Sequence, residues 1–172
     1  MKAESGGEGK GATFTVDIPL APRGAIAALR KAEGLSSLAA DAEPTLQGVR
    51  VLMVDDEPDA RDLVTTVLER KGATITAVAT VDEALSAIAR EKPDVILSDL
   101  GMPGEDGYSL IRRLRAQSPE HGGRIPAAAL TAYASAQDRT RALLAGFQSH
   151  VPKPIEASEL AAVIANLAGR TG

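Results

Sequence analysis

The chain has 172 residues, 44% of them hydrophobic and 24% charged, which is ordinary for a globular protein and enough for one good core with room for an appendage. It has no cysteine, which excludes disulfides, thiolate metal sites and a cysteine nucleophile, and only 2% aromatic residues, so the core must be built from Ala, Val, Leu and Ile. A formal net charge of -4 gives no overall electrostatic footprint for nucleic acid; no apolar run approaches transmembrane length and no signal-peptide pattern opens the chain, so a cytoplasmic protein is expected.

The first twenty residues hold a glycine cluster, Gly6, Gly7, Gly9 and Gly11, followed by an alternating segment in which Phe14, Val16 and Ile18 share one face. That is the period of a half-buried strand, and with Lys2 to Ser5 it predicts a hairpin. Glycines beside Lys10 suggest a phosphate cradle, but the spacing fails. Gly11 stands where a Walker loop needs Ser or Thr, and a dinucleotide fingerprint must open a helix, whereas a strand follows here. Residues 21–48 are Ala-rich with Pro22, Gly24, Gly34, Pro44 and Gly48, and read as a linker with a short helix over "GAIAALRKAEG".

From Val49 onward strand and helix patterns alternate five times. Strands are predicted at 50–55, 73–78, 94–99, 125–131 and 149–153. The first helix, 58–71, has Pro58 in its first turn and an apolar set of Leu63, Val64, Val67 and Leu68. The second opens on a capping box, Thr80 to Glu83, and carries Ala84, Leu85 and Ile88; the third carries Leu110, Ile111 and Leu114. The fourth opens at Ser135-Ala-Gln-Asp138, and the fifth carries Leu160, Val163, Ile164 and Leu167. Inner strands that are nearly continuous apolar runs belong in a parallel sheet covered on both faces. The expected fold is α/β, a (βα)5 doubly wound parallel sheet of five strands.

Open parallel sheets carry their sites at the carboxyl ends of the strands. The first predicted strand ends in Asp55-Asp56-Glu57, the third in Ser98-Asp99, the fourth in Thr131 and the fifth in Lys153-Pro154. Each residue has an ordinary explanation alone: Asp56 or Glu57 as a helix cap, Asp99 as a turn residue, Thr131 as a strand residue, Lys153 as a solvated lysine. Together on one rim, three carboxylates need a cation, and oxygen ligands at that density suit Mg²⁺. A lysine and a hydroxyl beside them supply the positive charge and the donor that a phosphoryl group requires, with one carboxylate as nucleophile.

The segments "VLMVDDEPDAR", "VILSDLGMPGEDGYSLIRRLR", "ALTAYA" and "VPKP" resemble a response-regulator receiver domain in order and spacing, Thr131 lying 32 residues after Asp99 and Lys153 22 after Thr131. The resemblance implies the flavodoxin-like strand order 2-1-3-4-5 and a role in two-component phosphorelay signalling. The phosphoryl group would come from the phosphohistidine of a histidine kinase or a histidine phosphotransfer protein. It implies Asp99 as phosphoacceptor, with Thr131 and Lys153 as its catalytic partners. Mg²⁺, or Mn²⁺ in its place, would be held by Asp56, Asp99 and the carbonyl of Gly101, with Asp55 acting through a water. It also implies a cis peptide at Lys153-Pro154, and self-catalysed phosphotransfer and dephosphorylation. His150 stands where many receivers carry Tyr or Phe, which puts the usual aromatic switch in question.

The alternatives are a dehalogenase-type phosphatase and a flavodoxin-like FMN-binding module. The first wants Asp-x-Asp after the first strand, and the second a hydroxyl-rich phosphate loop and flanking aromatics. An EF-hand loop at Asp99 fails on Gly101 and Pro103.

"KAESGGEGKGATFTVDIPLA" resembles the closing hairpin of a histidine-kinase ATP-binding domain, which in hybrid kinases precedes a linker and a receiver. The expected organisation is thus a remnant hairpin over 1–20, a linker over 21–48 and a receiver over 49–172. No ATP-dependent kinase activity is expected from this chain, and a dimer through the N-terminal segment is a further expectation.

Overall fold

The computed structural model of the chain describes residues 2–5, 12–15, 44–132 and 136–170. Two compact units divide between Asp41 and Ala42. In the first, strands β1 (Lys2–Ser5) and β2 (Ala12–Thr15) pair antiparallel, with Lys2 opposite Thr15 and Ser5 opposite Ala12. The glycine cluster, the strand face beyond Thr15 and the helix expected near "GAIAALRKAEG" lie outside the described residues.

The second unit alternates strand and helix: β3 (Arg50–Val54), α1 (Pro58–Glu69), β4 (Thr74–Val78), α2 (Val81–Glu91), β5 (Val95–Asp99), α3 (Gly107–Arg115), β6 (Ala127–Thr131), α4 (Ala136–Ala145), β7 (Ser149–Pro152) and α5 (Ala157–Leu167). A single 3-10 turn, Pro119–His121, lies between α3 and β6. All five strands are parallel in the order β4-β3-β5-β6-β7. Counted within this unit that is 2-1-3-4-5, the expected flavodoxin-like order. The order reverses at β3, so β3 and β5 diverge into helices on opposite faces and leave a crevice at their carboxyl ends.

Alternation along the inner strands fills two cores. Val51 and Met53 of β3, Val95 and Leu97 of β5, and Ala128 and Leu130 of β6 meet Val64 and Leu68 of α1 and Leu160 and Ile164 of α5. Their neighbours Leu52, Val54, Ile96, Ala127 and Ala129 meet α2, α3 and Ala142 of α4. Three alanines in β6 let helices approach the middle of the sheet closely, which suits a chain with so few aromatics. Packing begins before Val49: Leu46 is fully buried and its N–H donates to the Lys71 carbonyl.

Local signals account for the helix boundaries. Thr80 caps α2 and accepts from the Glu83 N–H, while the Glu83 carboxylate reaches back to the Ala79 N–H. Asp106 caps α3 through the Ser109 N–H. Pro58 opens α1, where its missing N–H costs nothing. Neither Asp56 nor Glu57 caps α1: the N-cap position is Glu57, with no side-chain hydrogen bond. Within α1, Val64 and Leu68 are buried, but Leu63 is 55% exposed and lies off the core face that its spacing suggested.

Candidate functional site

Four strands end against the crevice, β3, β5, β6 and β7, and each delivers polar side chains where its ladder stops. The β3 ladder ends at Val54, so Asp55 and Asp56 turn out over the rim. Asp55 is fully buried, and its Oδ1 accepts from the Glu57 N–H at 3.0 Å. The Arg61 guanidinium bonds the carbonyls of Asp55 and Asp56, at 2.7 and 2.9 Å, and so fixes the turn that aims both carboxylates. β5 ends in Ser98 and Asp99, both buried. Asp99 Oδ2 accepts from the Gly101 N–H at 2.8 Å.

The last residue of β6, Thr131, is buried, and its carbonyl accepts from the Lys153 N–H at 2.8 Å, which docks the end of β7 beside it. The Lys153-Pro154 bond is cis, as expected. The Lys153 ammonium lies 2.8 Å from Asp99 Oδ1 and 3.0 Å from Asp55 Oδ2, bridging the two buried carboxylates. Burial works against its charge, but the hydrogen bonds to Asp99 and Asp55 outweigh that and hold its pKa above the ordinary 10.5.

Asp55, Asp56, Asp99, Gly101, Thr131 and Lys153 line one open cleft of about 440 Å³. Every residue singled out in the sequence is thus brought to one place. Oxygen atoms of Asp55, Asp56 and Asp99 lie within 4.8 Å of one another. Three hard carboxylate oxygens at that spacing, one of them partly exposed, fit a small divalent cation that keeps part of its water shell. Lys153 neutralises one negative charge of the three and leaves an excess.

Sequence reasoning missed the wall of the cleft that faces α3 and α4. Tyr108, Asp138 and Arg141 also line it. The Arg141 guanidinium lies 4.4 Å from the centroid of the buried Tyr108 ring, a cation–π contact. Burial pushes the Tyr108 hydroxyl above its ordinary pKa; Arg141 opposes this, and Asp138 and Asp106 add to it. Nothing in local spacing pairs residue 108 with residue 141, because only the packing of α3 beside α4 brings them together. The one available signal is Tyr108 itself, one of two tyrosines in the chain and placed two residues after the cap of α3.

Gly107 closes the glycine-containing loop, Gly104 to Gly107, that the resemblance sets beside the acceptor: a Cβ there would lie 2.2 Å from the Asp99 carbonyl oxygen and 3.0 Å from Ser98 Oγ. The absent side chain lets α3 start hard against the end of β5. His150 lies partly buried on β7, in register with Ala129. Tyr133 lies outside the described residues.

The sequence model of the response regulator receiver domain matches residues 51–165. The chain belongs to the receiver domain family. A 14.6 kDa protein of the sodA1 3' region of Leptolyngbya boryana is 46% identical over 116 residues, 67% of this chain and 87% of the relative. The sensor histidine kinase GacS of Pseudomonas protegens is 39% identical over 121 residues, which are 70% of this chain and only 13% of that kinase. Among solved structures, the receiver domain of the Pseudomonas aeruginosa sensor histidine kinase PA1611 is 36% identical, with a TM-score of 0.64 over 71% of this chain and 98% of that one. It was crystallised with a magnesium ion in its active-site cleft. A response regulator from Chloroflexus aurantiacus aligns with a TM-score of 0.66 at 30% identity, over 71% of this chain and 98% of the other.

This receiver is a module of two-component signalling, a family whose members take phosphoryl groups from histidine kinases and bind Mg²⁺ in an acidic pocket. Neither the phosphatase nor the FMN alternative gains support. The carboxylates come from two strands without the Asp-x-Asp spacing, and among the described residues Tyr108 is the one aromatic side chain of the cleft. No helix among the described residues is long and apolar enough to cross a membrane.

Proposed function

We propose that this receiver accepts a phosphoryl group on Asp99 from the phosphohistidine of a histidine kinase or phosphotransfer protein. The observation that carries this reading is the bridge of Lys153 to Asp99 Oδ1 and Asp55 Oδ2 at the mouth of a three-carboxylate cleft. Asp55, Asp56, Asp99 and the Gly101 carbonyl would hold Mg²⁺, which when bound supplies positive charge to the phosphoryl oxygens during transfer.

The chain's own residues do the rest. Gly101 and Lys153 fix the Asp99 carboxylate from two sides, so that its nucleophilic oxygen is presented in one orientation. The oxygen attacks phosphorus, a P–O bond forms, the P–N bond to imidazole breaks, and the imidazole nitrogen keeps the electron pair and takes up a proton. Lys153 then pairs with a phosphoryl oxygen in place of part of its contact with Asp99, and the Thr131 hydroxyl donates to another. Water reverses the modification by attacking phosphorus, releasing inorganic phosphate and the free carboxylate.

Incubation with acetyl phosphate and Mg²⁺ is expected to phosphorylate the protein. Asp99→Ala is expected to take no label, and EDTA to abolish labelling of the wild type. Labelling undiminished by EDTA contradicts the reading.

The N-terminal hairpin we read as the closing hairpin of a kinase ATP-binding domain, joined through a linker to the receiver from residue 49. Its antiparallel register supports that reading. The coding sequence upstream of Met1 tests it, since an open frame for a kinase core is expected there and a stop codon shortly before Met1 contradicts it.

A further inference from the structure

Beyond the six residues that the sequence singled out, the cleft has a second cationic wall. Arg141 projects from α4 into the same cleft as Asp99, Thr131 and Lys153. Asp138, three residues earlier on α4, lines the cleft too, so this face of α4 is turned toward it. Among the described residues Arg141 has no carboxylate within ion-pair distance; its guanidinium is held on the Tyr108 ring instead. A guanidinium seated on a ring face keeps its edge N–H groups clear of the ring, the form in which arginine best receives an oxyanion. Tyr108 is itself fixed: it is buried, and it follows Gly107, which packs against the Asp99 carbonyl. The ring therefore ties the position of Arg141 to the backbone of the phosphoacceptor.

We propose that Arg141, seated on Tyr108, is a second cation for the phosphorylated Asp99, contacting the phosphoryl oxygens from the α4 side and prolonging the life of the aspartyl phosphate. This rests on Asp99 being the phosphoacceptor. Before phosphorylation the floor of the cleft holds the Asp55, Asp56 and Asp99 cluster with Lys153; Glu57 and Asp138 also line it, and the contact with Tyr108 keeps Arg141 at the rim. The modification adds a phosphoryl group with three outer oxygens, each able to accept more than the single contact that Mg²⁺, Lys153 or Thr131 would supply. Among the described residues the guanidinium is the remaining cation that lines the cleft.

The sign of the kinetic effect follows from the reaction. In hydrolysis water attacks phosphorus from the side opposite the Asp99 oxygen, the P–O bond to Asp99 breaks, and the carboxylate leaves with the electron pair. The transition state is loose, and the charge that develops on the leaving carboxylate falls where Lys153 lies, 2.8 Å from Asp99 Oδ1. A cation on the outer oxygens therefore holds the phosphorylated state at least as strongly as the transition state, and it also narrows the path of the incoming water. Loss of Arg141 speeds release.

The test compares wild type, Arg141→Ala, Arg141→Lys and Tyr108→Leu with two probes. Beryllofluoride with Mg²⁺ is titrated by calorimetry, and decay of the acetyl-phosphate-labelled protein is followed after donor removal. Arg141→Ala is expected to bind beryllofluoride roughly three- to tenfold more weakly and to lose label faster by a similar factor, the scale of one partly exposed charge-assisted contact. Its affinity for Mg²⁺ alone is expected to match wild type, which a general distortion of the cleft would not allow. Arg141→Lys should fall between the two, and Tyr108→Leu should resemble Arg141→Ala. If Arg141→Ala matches wild type within twofold in both assays, or loses label more slowly, the inference is overturned while labelling of the wild type upholds the phosphoacceptor. If the wild type takes neither probe, both readings fall together.

Discussion

At the scale of single residues, the cleft is a balance of charge that favours chemistry over stability. Asp55 and Asp99 share Lys153, while among the described residues the Asp56 carboxylate has no cationic partner and sits within 4.8 Å of the other two. Neutralising Asp56 removes repulsion and breaks no ion pair. Asp56→Asn is therefore expected to stabilise the metal-free protein by roughly 0.5–1 kcal/mol, a partly screened like-charge contact. Thermal melts with and without Mg²⁺ check this. The wild type should gain stability with Mg²⁺ and the variant should gain little; an equal gain in both removes Asp56 from the metal site. These residues were legible in the sequence because each ends a strand, and in a parallel sheet strand ends share a rim. Tyr108 and Arg141 were not, since their meeting depends on how two helices lie side by side.

At the scale of elements, the strands and helices fell within about two residues of their sequence patterns. Strand ends differ because the last polar residues, Asp55 and Lys153, lie just past the ladder. Leu63 shows the limit of periodicity: an apolar set at 63, 64, 67 and 68 is wider than the stripe α1 buries, and its edge faces solvent. The approach of α3 to β5 is the contact between elements that matters most to the site. A Cβ at Gly107 would fall 2.2 Å from the Asp99 carbonyl oxygen, so Gly107→Ala must push the start of α3 away from β5. Overpacking of this kind costs about 1–3 kcal/mol. Urea denaturation should show that loss, with slower phosphorylation by acetyl phosphate; a variant with wild-type stability and rate contradicts the tight approach.

At the scale of the whole molecule, the two rims of the sheet do different work. The carboxyl rim gathers unbalanced charge, whereas the opposite rim ties strands together. There Arg50, at the start of β3, bonds Asp94 just before β5 through Nε and Nη2, at 3.2 and 3.0 Å, and also the Glu91 carbonyl. The Arg50 hydrogen bond is the main reason that the Asp94 pKa lies below its ordinary 3.8, with burial opposing it. A carboxylate whose folded pKa is depressed contributes stability that is present above its unfolded value. That contribution is lost as pH falls through the folded one. Asp94→Asn should therefore lower stability at pH 7 and have no effect well below pH 3.8, where both proteins carry a neutral side chain. The pair is half exposed, so the difference at neutral pH should be about 1 kcal/mol or less. A constant difference across the acid range contradicts the assignment.

The strand order sets Asp99 in the crevice beside Asp55, Asp56 and Lys153, and it is the residue on which the proposed phosphoryl transfer centres. Its modification is most directly tested by mass spectrometry of the protein after acetyl phosphate and Mg²⁺ treatment, with the acyl phosphate trapped by reductive cleavage and mapped to its peptide. The account predicts a single hydroxylamine-labile phosphoryl group, located on Asp99 and absent from Asp99→Ala. A hydroxylamine-stable label, or one carried by any other residue, would contradict it.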